Sequence, residues 1–328
     1  RGGRVPCVTD ADLLLGYLDA DYFLGGEMKL DRAAAARAVE EHIAGPLGLS
    51  QEQAVWGIHD LINETMASAA KTHVAERGGN PGLVTVSAFG GAGPVHAYGL
   101  CRKLGAPSVL VPPNAGVGSA LGFFTAPRAF DLVRSHKVPL VGADLAALDE
   151  LFVTMEGEGV RMLHAGAQAA ADEVCFARSV DARFVGQGAE TNVPLPATDF
   201  AHLSREKIRA LFDAEYERLY GRTYPDSPLE LVSFRVRASL PERPLQLPRN
   251  PVTGSLEEAL KGTRPAYSPE SRAYMPFSVY DRYLLPPGAA FQGPAIVEER
   301  ESTVVVGEGA RVRCDELGFL WIEMGDKS

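Results

Sequence analysis

Two short apolar segments, each followed by a glycine-rich loop and a helical segment, constrain the fold of this chain more than any other feature. Residues 83–88 are nearly all apolar, and the loop Gly90–Gly93 follows before a helix that extends to Leu104. Val109–Val111 begins a second copy of the pattern, with the loop Gly116–Ser119 before another helical segment. Strand, glycine loop and helix, repeated in this order, are typical of an α/β nucleotide-binding layer.

Charge and composition narrow the choice of partner and compartment. The chain has 32 Lys and Arg against 42 Asp and Glu, a net charge of −10, and no basic stripe, so we expect no nucleic-acid partner. No apolar run is long enough to cross a membrane, and we expect a soluble, cytoplasmic protein with no membrane partner. The four cysteines are widely spaced, which predicts reduced, mostly buried thiols.

Helices are predicted before the first glycine loop: Asp31 could cap one over Ala33–Ile43, and the next one is long. Ser50 and Gln53 form a capping-box pattern, and apolar residues then recur every three or four positions toward Arg77. His59 and His73 on this helix are about 21 Å apart at a rise of about 1.5 Å per residue, which is too far for one metal ion. Neither has a partner at zinc-site spacing, so we predict no metal ligands.

The length of 328 residues favours two domains. Beyond Arg128 the pattern predicts strands at 133–140 and 229–240, helices at 145–171 and 204–220, and a hairpin that turns at 186–188. Residues 241–276 are predicted to be an extended connection, and 277–323 a set of short strands that supports assembly. The predicted domains are residues 1–140, with the glycine loops, and residues 141–328, an α+β domain with a β-rich tail.

Six collinear stretches give the chain its resemblance to a known family, because they match motifs of the hydantoinase A/oxoprolinase family in order. They are Val8–Asp12 with Phe23–Gly26 and Met28–Leu30, then Ile62–Met66, Ala88–Ala97, Val111–Gly122, Arg183–Gln187 and Gly293–Glu298.

The resemblance implies an α/β fold: the second lobe of an actin-like ATPase, of the sugar kinase and heat-shock chaperone type, followed by an α+β, β-rich C-terminal domain. It implies ATP-dependent opening of a cyclic amide such as hydantoin or 5-oxoproline, in which phosphorylation activates the substrate. An ATP-dependent ketone carboxylase subunit and a noncatalytic scaffold of the same fold are the alternatives. ATP and Mg²⁺ are the implied cofactors.

Family subunits are much longer than this sequence, which has no counterpart of their amino-terminal lobe with its Asp-x-Gly-Gly-Thr phosphate loop. We therefore expect this segment to be catalytically incomplete alone. The implied partners are that lobe, on the same or another chain, a hydantoinase B-like subunit, and a small-molecule substrate. Magnesium is expected to be held by the nucleotide phosphates and the other lobe.

The resemblance also implies a nucleotide loop. By analogy with the adenosine-binding loop of actin-like ATPases, Gly90, Gly91, Ala92 and Gly93 are expected to contact the adenine or ribose. Glycine permits close approach of the backbone, and the start of the following helix favours an anion.

Four further residues are candidates for the same cleft. His96 could reach a ligand or bond a neighbouring carbonyl, and Asn63 could hydrogen-bond the ligand or the loop backbone. Gly116 and Gly118 could line the cleft, or could serve close packing of helix on strand. No catalytic residue is predicted.

Other polar groups are interpreted as structural. The carboxylate clusters are expected to be solvated faces. Arg183 and Gln187, beside a glycine turn, fit an interface or a fold constraint equally well. The clusters are Glu40 with Glu41, Glu156 with Glu158, and Glu298 with Glu299 and Glu301.

Overall fold

A computed structural model describes residues 3–165, 174–196, 200–242 and 246–325. They form two compact units: the first contains the described residues before Thr125 together with those from Gln246 onward, and the second contains those between. No helix among the described residues is long and apolar enough to cross a membrane.

Helices account for most of the first half of the chain. The α-helices are α1 Val8–Leu14, α2 Arg32–Val39, α3 Gly45–Leu47, α4 Gln51–Glu76, α5 Gly93–Leu104, α6 Leu121–Thr125, α7 Leu145–His164, α8 Arg205–Tyr220 and α9 Leu256–Ala259. Shorter helical turns cover Phe23–Gly26, Glu40–Ala44, Pro81–Leu83, Ala115–Ala120, Leu140–Gly142, Phe200–His202 and Arg282–Leu284.

Strands dominate the last third of the chain. They are β1 Thr85–Ser87, β2 Ser108–Val111, β3 Ala129–Pro139, β4 Cys175–Phe184, β5 Thr191–Pro194, β6 Leu229–Ser239, β7 Leu260–Ser268, β8 Ala273–Asp281, β9 Ala290–Gln292, β10 Ala295–Glu298, β11 Thr303–Val306, β12 Arg311–Cys314 and β13 Leu320–Glu323.

The predicted strand–loop–helix–strand order is present in the first unit. β1 and β2 pair in parallel, with Val86 opposite Val109, and α5 connects them. α5 lies between two hydrophobic cores: Val95 packs with α1, α2 and α4, whereas Tyr98 and Cys101 pack against the sheet that contains β2. This position fixes the start of α5, and with it the first glycine loop.

The tail strands belong to the same unit as the glycine loops. The sheet order is β1-β2-β13-β12-β9, and β13 pairs antiparallel with β2. A second sheet has the order β11-β10-β8-β7. The packing therefore differs from the predicted division at 140/141. Residues 277–323 supply three strands of the first sheet, because the short β1–β2 pair needs neighbours to cover its hydrophobic faces.

Local helix signals predicted several boundaries well. Ser50 and Gln53 form the reciprocal capping box at the start of α4, and the Asp31 side chain accepts a hydrogen bond from Ala34 N at the start of α2. Ser204 caps α8 in the same way. The predicted end of the helix beginning at Leu145 lies outside the described residues.

The predicted extended connection at 241–276 was wrong over its second part. α9 and β7 lie within it, and β7 pairs with β8 along nearly its whole length. The glycine and proline content that suggested a loop is accommodated by a register shift between Leu260 and Gly262, and by the pairing of Pro265 with Pro276.

The second unit is an antiparallel sheet with helices α7 and α8. The strand order is β3-β6-β4-β5, and Phe152 and Phe212 from the two helices enter one core with Phe234 of the sheet. Arg183 pairs with Glu230, and the Gln187 side chain donates to the Tyr216 hydroxyl. The sequence left two alternatives for Arg183 and Gln187, an interface and a structural role within the fold. These contacts support the structural role.

Candidate functional site

The first glycine loop joins β1 to α5. Gly90 has φ +90, in the region that favours glycine, and its N–H donates to Ala115 O at 2.7 Å. Ala92 occupies the N-cap position of α5, and no side chain caps this helix start. Pro94 has no N–H and Val95 N–H donates to Ala92 O at 3.2 Å, so Gly93 N–H is the donor of this first turn that remains for a bound acceptor.

A cavity of about 240 Å³ opens beside this loop. Gly91 and Ala92 form one side of it. The remaining wall comes from α1, the turn at Phe23–Gly26 and the segment after β10, and it includes three acidic side chains. These are Asp12, Glu299 and Glu301.

The second glycine loop is held closed by a carboxylate. Glu299 accepts hydrogen bonds from Asn114 N at 2.7 Å and Ala115 N at 2.9 Å, and Ser302 Oγ donates to it at 2.8 Å. The buried Arg282 guanidinium lies 3.7 Å from the same carboxylate, and burial lowers the pKa of Arg282. These contacts explain the loop without a ligand.

The glycines of the second loop meet protein atoms. A Cβ on Gly116 would lie 2.4 Å from Glu301 Cβ, and one on Gly118 would lie 3.3 Å from Phe89 Cβ. Of the two alternatives for Gly116, close packing therefore accounts for the residue. Gly118 also borders a larger, mainly apolar cavity of about 600 Å³, together with Leu121 and Leu317.

The prediction that Glu298 and Glu299 belong to a solvated face was wrong. Their exposed fractions are 2% and 4%. Glu298 pairs with Arg264 at 2.7 Å and with Lys261, while Glu299 holds the second loop. Clustering in sequence did not reveal their burial, because the partners come from β7 and from the loop after β2.

A buried cluster of Asp12, His59 and His96 lies behind the first loop. Asp12 Oδ1 is 2.7 Å from His59 Nδ1, and Asp12 Oδ2 is 3.5 Å from His96 Nε2. Three helices, α1, α4 and α5, supply one residue each. The ligand atoms of the three side chains all lie within 4.8 Å of one another, so the cluster is a candidate metal centre.

Two predicted site residues do not line the cavity at Gly91: His96 is a member of this cluster, and Asn63 lies beside it. His96 Nδ1 and Asn63 Oδ1 are 3.0 Å apart, and Asn63 is fully buried. Gly99 permits this approach of α4 to α5, since a Cβ there would lie 2.6 Å from Asn63 Nδ2. His59 and His73 both lie in α4, whereas Asp12 and His96, which contact His59, come from other helices.

The electrostatics of the cluster favour a charged carboxylate. Burial raises the pKa of Asp12, but hydrogen bonds and charge from His59 and His96 together outweigh it and hold that pKa below its ordinary value. Asp12 was not singled out from the sequence. It occurs in a motif of the resemblance, Val8–Asp12, and its single polar position among the buried residues Ala11, Leu13 and Leu14 was the available signal.

The protein belongs to the mixed α/β class. Its parallel strands β1 and β2 are connected by helix α5, and a glycine loop lies between β1 and α5. More specifically, the chain belongs to the hydantoinase/oxoprolinase family: the family model matches residues 1–131, and the model of the family's C-terminal domain matches residues 143–324. Residues 132–142 lie between the two matched ranges. The predicted family is confirmed.

Three relatives illustrate the similarity. The acetophenone carboxylase gamma subunit of Aromatoleum aromaticum is 31% identical over 99% of this chain and 46% of its own length. The structure of nucleotide-free acetone carboxylase, from a study of ATP-dependent acetone carboxylation, has a TM-score of 0.79 at 27% identity and covers 98% of this chain and 47% of that one. The ATP-dependent caprolactamase of Pseudomonas jessenii has a TM-score of 0.76 at 28% identity, covering 99% and 48%.

The predicted mixed α/β fold class is confirmed by these structural neighbours. The chain spans about half the length of the relatives it matches.

Proposed function

We propose that this chain contributes the adenosine-contacting part of an ATP-dependent enzyme that opens a cyclic amide. The observation that carries the proposal is the cavity at the uncapped start of α5, bordered by Gly91 and Ala92. Similarity to an ATP-dependent caprolactamase over nearly the whole chain supports the reaction class. The actin-like lobe and the cytoplasmic location belong to the same proposal.

The charges around the cavity favour one orientation of the nucleotide. Asp12, Glu299 and Glu301 outnumber Arg300, the cation that lines the same cavity and pairs with Glu27 and Glu301, so the wall disfavours a triphosphate, whereas ribose hydroxyls can donate to carboxylates. The cavity volume of about 240 Å³ lies below the range of about 300–1,000 Å³ typical of complete small-molecule sites. We therefore place the nucleoside here, and the phosphates toward the start of α5 and the other half of the enzyme.

In the proposed reaction the substrate's amide oxygen attacks the γ-phosphorus of ATP, and ADP leaves. A first water adds to the activated carbon, and the ring C–N bond breaks as the nitrogen takes a proton and leaves as an amine, which gives an acyl phosphate. A second water hydrolyses this acyl phosphate and releases phosphate and the carboxylate. This chain supplies positioning, and the other half and a hydantoinase B-like subunit supply the remaining groups. Mg²⁺ would be held by the phosphates and the other half, because Asp12 and Glu299 are already occupied by histidines and backbone N–H groups.

An ATP-dependent ketone carboxylase is the second candidate. It is favoured by the similarity to the acetophenone carboxylase gamma subunit and to acetone carboxylase, which covers this chain as fully as the similarity to caprolactamase does. The same nucleoside site would serve either reaction, because both consume ATP.

Reconstitution tests the reaction class. The chain is assayed for ADP release alone, and again after an amino-terminal half and a hydantoinase B-like subunit of a family member are supplied. We expect negligible turnover alone and ADP release stimulated by hydantoin, 5-oxoproline or caprolactam after reconstitution. Stimulation only by a ketone with bicarbonate would select the second candidate, and robust hydrolysis by the chain alone would contradict the two-half account.

Photo-crosslinking tests the place of the nucleoside. A nucleotide with an azide on its adenine should label the first loop at 88–96 or the segment 299–303, which borders the same cavity. Labelling confined to the walls of the larger cavity, at 113–124 and 247–252, would move the site to the second loop.

A further inference from the structure

We infer that Asp12, His59 and His96 bind a divalent transition-metal ion of the zinc type. The three side chains are 3%, 3% and 6% exposed, and they converge from three separate helices. Two imidazoles and one carboxylate suit zinc, cobalt or nickel better than magnesium or calcium, which prefer oxygen ligands. This site is separate from the magnesium expected with ATP.

Asp12 is a buried carboxylate whose ion-pair partners are histidines, an arrangement that also occurs in metal sites. Among the described residues, both of its ion-pair partners are histidines, and no Lys or Arg approaches it. A buried carboxylate is costly unless a cation or several donors compensate it. A metal ion would supply that charge and would join α1, α4 and α5.

The hydrogen bond between His96 and Asn63 orients the second imidazole. With Asn63 Oδ1 as the acceptor, His96 Nδ1 carries the proton, and the lone pair of Nε2 faces Asp12 Oδ2 at 3.5 Å. With a neutral His96, two acceptors face each other, and a cation compensates both: a metal ion between them, or a second proton on His96 that is shared with Asp12. Bonding of the outer imidazole nitrogen to a carbonyl oxygen is also the usual way in which proteins orient a metal-binding histidine.

Space and reach are compatible with binding after a small adjustment. Tetrahedral bonds of about 2.1 Å place neighbouring donor atoms about 3.4 Å apart. The Asp12–His96 separation already has this value, whereas the His59 and His96 rings are stacked with centroids 4.5 Å apart. The His59 ring must therefore turn about its Cβ–Cγ bond so that the lone pairs converge.

Two cavities border members of the cluster. His59, but neither Asp12 nor His96, lines a cavity of about 20 Å³, which has room for one water molecule. Asp12 also lines the cavity at Gly91, so an ion can reach the cluster from that side.

Metal titration tests the site. The purified protein is stripped with a chelator and titrated with Zn²⁺ by calorimetry, and separately with Co²⁺ by visible absorption. We expect one ion per chain, a tetrahedral Co²⁺ spectrum and a rise in Tm with Zn²⁺. Asp12→Asn and His59→Gln should each weaken binding by about tenfold or more. His42→Gln and His73→Gln, which change exposed histidines, should leave binding unchanged.

X-ray absorption at the zinc edge of the unmodified protein keeps the test decisive if a variant fails to fold. A shell of nitrogen and oxygen with two imidazoles supports the assignment. Failure of the folded protein to bind Zn²⁺ would overturn it and would indicate that Asn63 is reversed, so that His96 donates Nε2–H to Asp12. Sulfur in the shell, or equal binding by folded Asp12→Asn, would overturn it as well. None of these outcomes depends on ATP.

Discussion

The two glycine loops of the first unit share a sequence pattern but differ in what surrounds their glycines. At the first loop, a Cβ on Gly93 would meet no atom within 4 Å, and one on Gly91 would meet Glu301 O at an ordinary 3.5 Å. At the second loop, Gly116 is pressed against Glu301, and Glu299 occupies the N–H groups of Asn114 and Ala115. The same glycine-rich pattern therefore serves two purposes. At the second loop glycine avoids a clash with protein atoms, and at the first loop it leaves space that a ligand can occupy.

Removal of the carboxylate that holds the second loop should have the largest effect on stability. Glu299→Ala leaves Arg282 and two N–H groups without their buried partner, and we expect a loss of about 4 kcal/mol. Urea unfolding measures it. Glu27→Ala removes an exposed carboxylate paired with Arg300 and should cost less than about 0.5 kcal/mol. Equal losses in the two variants would contradict the capping role.

Filling the tight position in the second loop should have the next largest effect. Gly116→Ala places Cβ within 2.5 Å of Glu301 O, and we expect a loss of about 2 kcal/mol. Gly93→Ala in the first loop fills open space and should change stability by less than about 0.5 kcal/mol. Thermal unfolding of both variants compares the loops directly, and a harmless Gly116→Ala would show that the second loop is not closely packed.

Within the first loop, the backbone of Gly90 should matter more than that of Gly91. Gly90 has φ +90 and Gly91 lies outside the positive region, so Gly90→Ala should cost about 1 kcal/mol and Gly91→Ala little. Chemical denaturation resolves the two variants. A larger cost at Gly91 would mean that the loop has another conformation.

Local patterns predicted the helices and their caps, because Ser50, Asp31 and Ser204 act on N–H groups a few residues away. Long-range packing was not predictable in this way. β13 pairs with β2 across about two hundred residues of sequence, and Asp12, His59 and His96 meet only through the packing of α1, α4 and α5. The prediction of a solvated Glu299 was wrong for the same reason, because its partners Asn114 and Ala115 are distant in sequence.

The nucleoside contact itself is tested most directly by Gly91→Val, measured for ATP affinity and Tm in the reconstituted enzyme. A branched side chain at Gly91 enters the cavity, and we predict an affinity loss of more than about a hundredfold, or about 3 kcal/mol, with a nearly unchanged Tm. Gly57→Val, at an exposed glycine of α4 with no atom within 4 Å of its Cβ position, is the matched control and should retain ATP affinity. Unchanged ATP affinity in folded Gly91→Val would contradict the account.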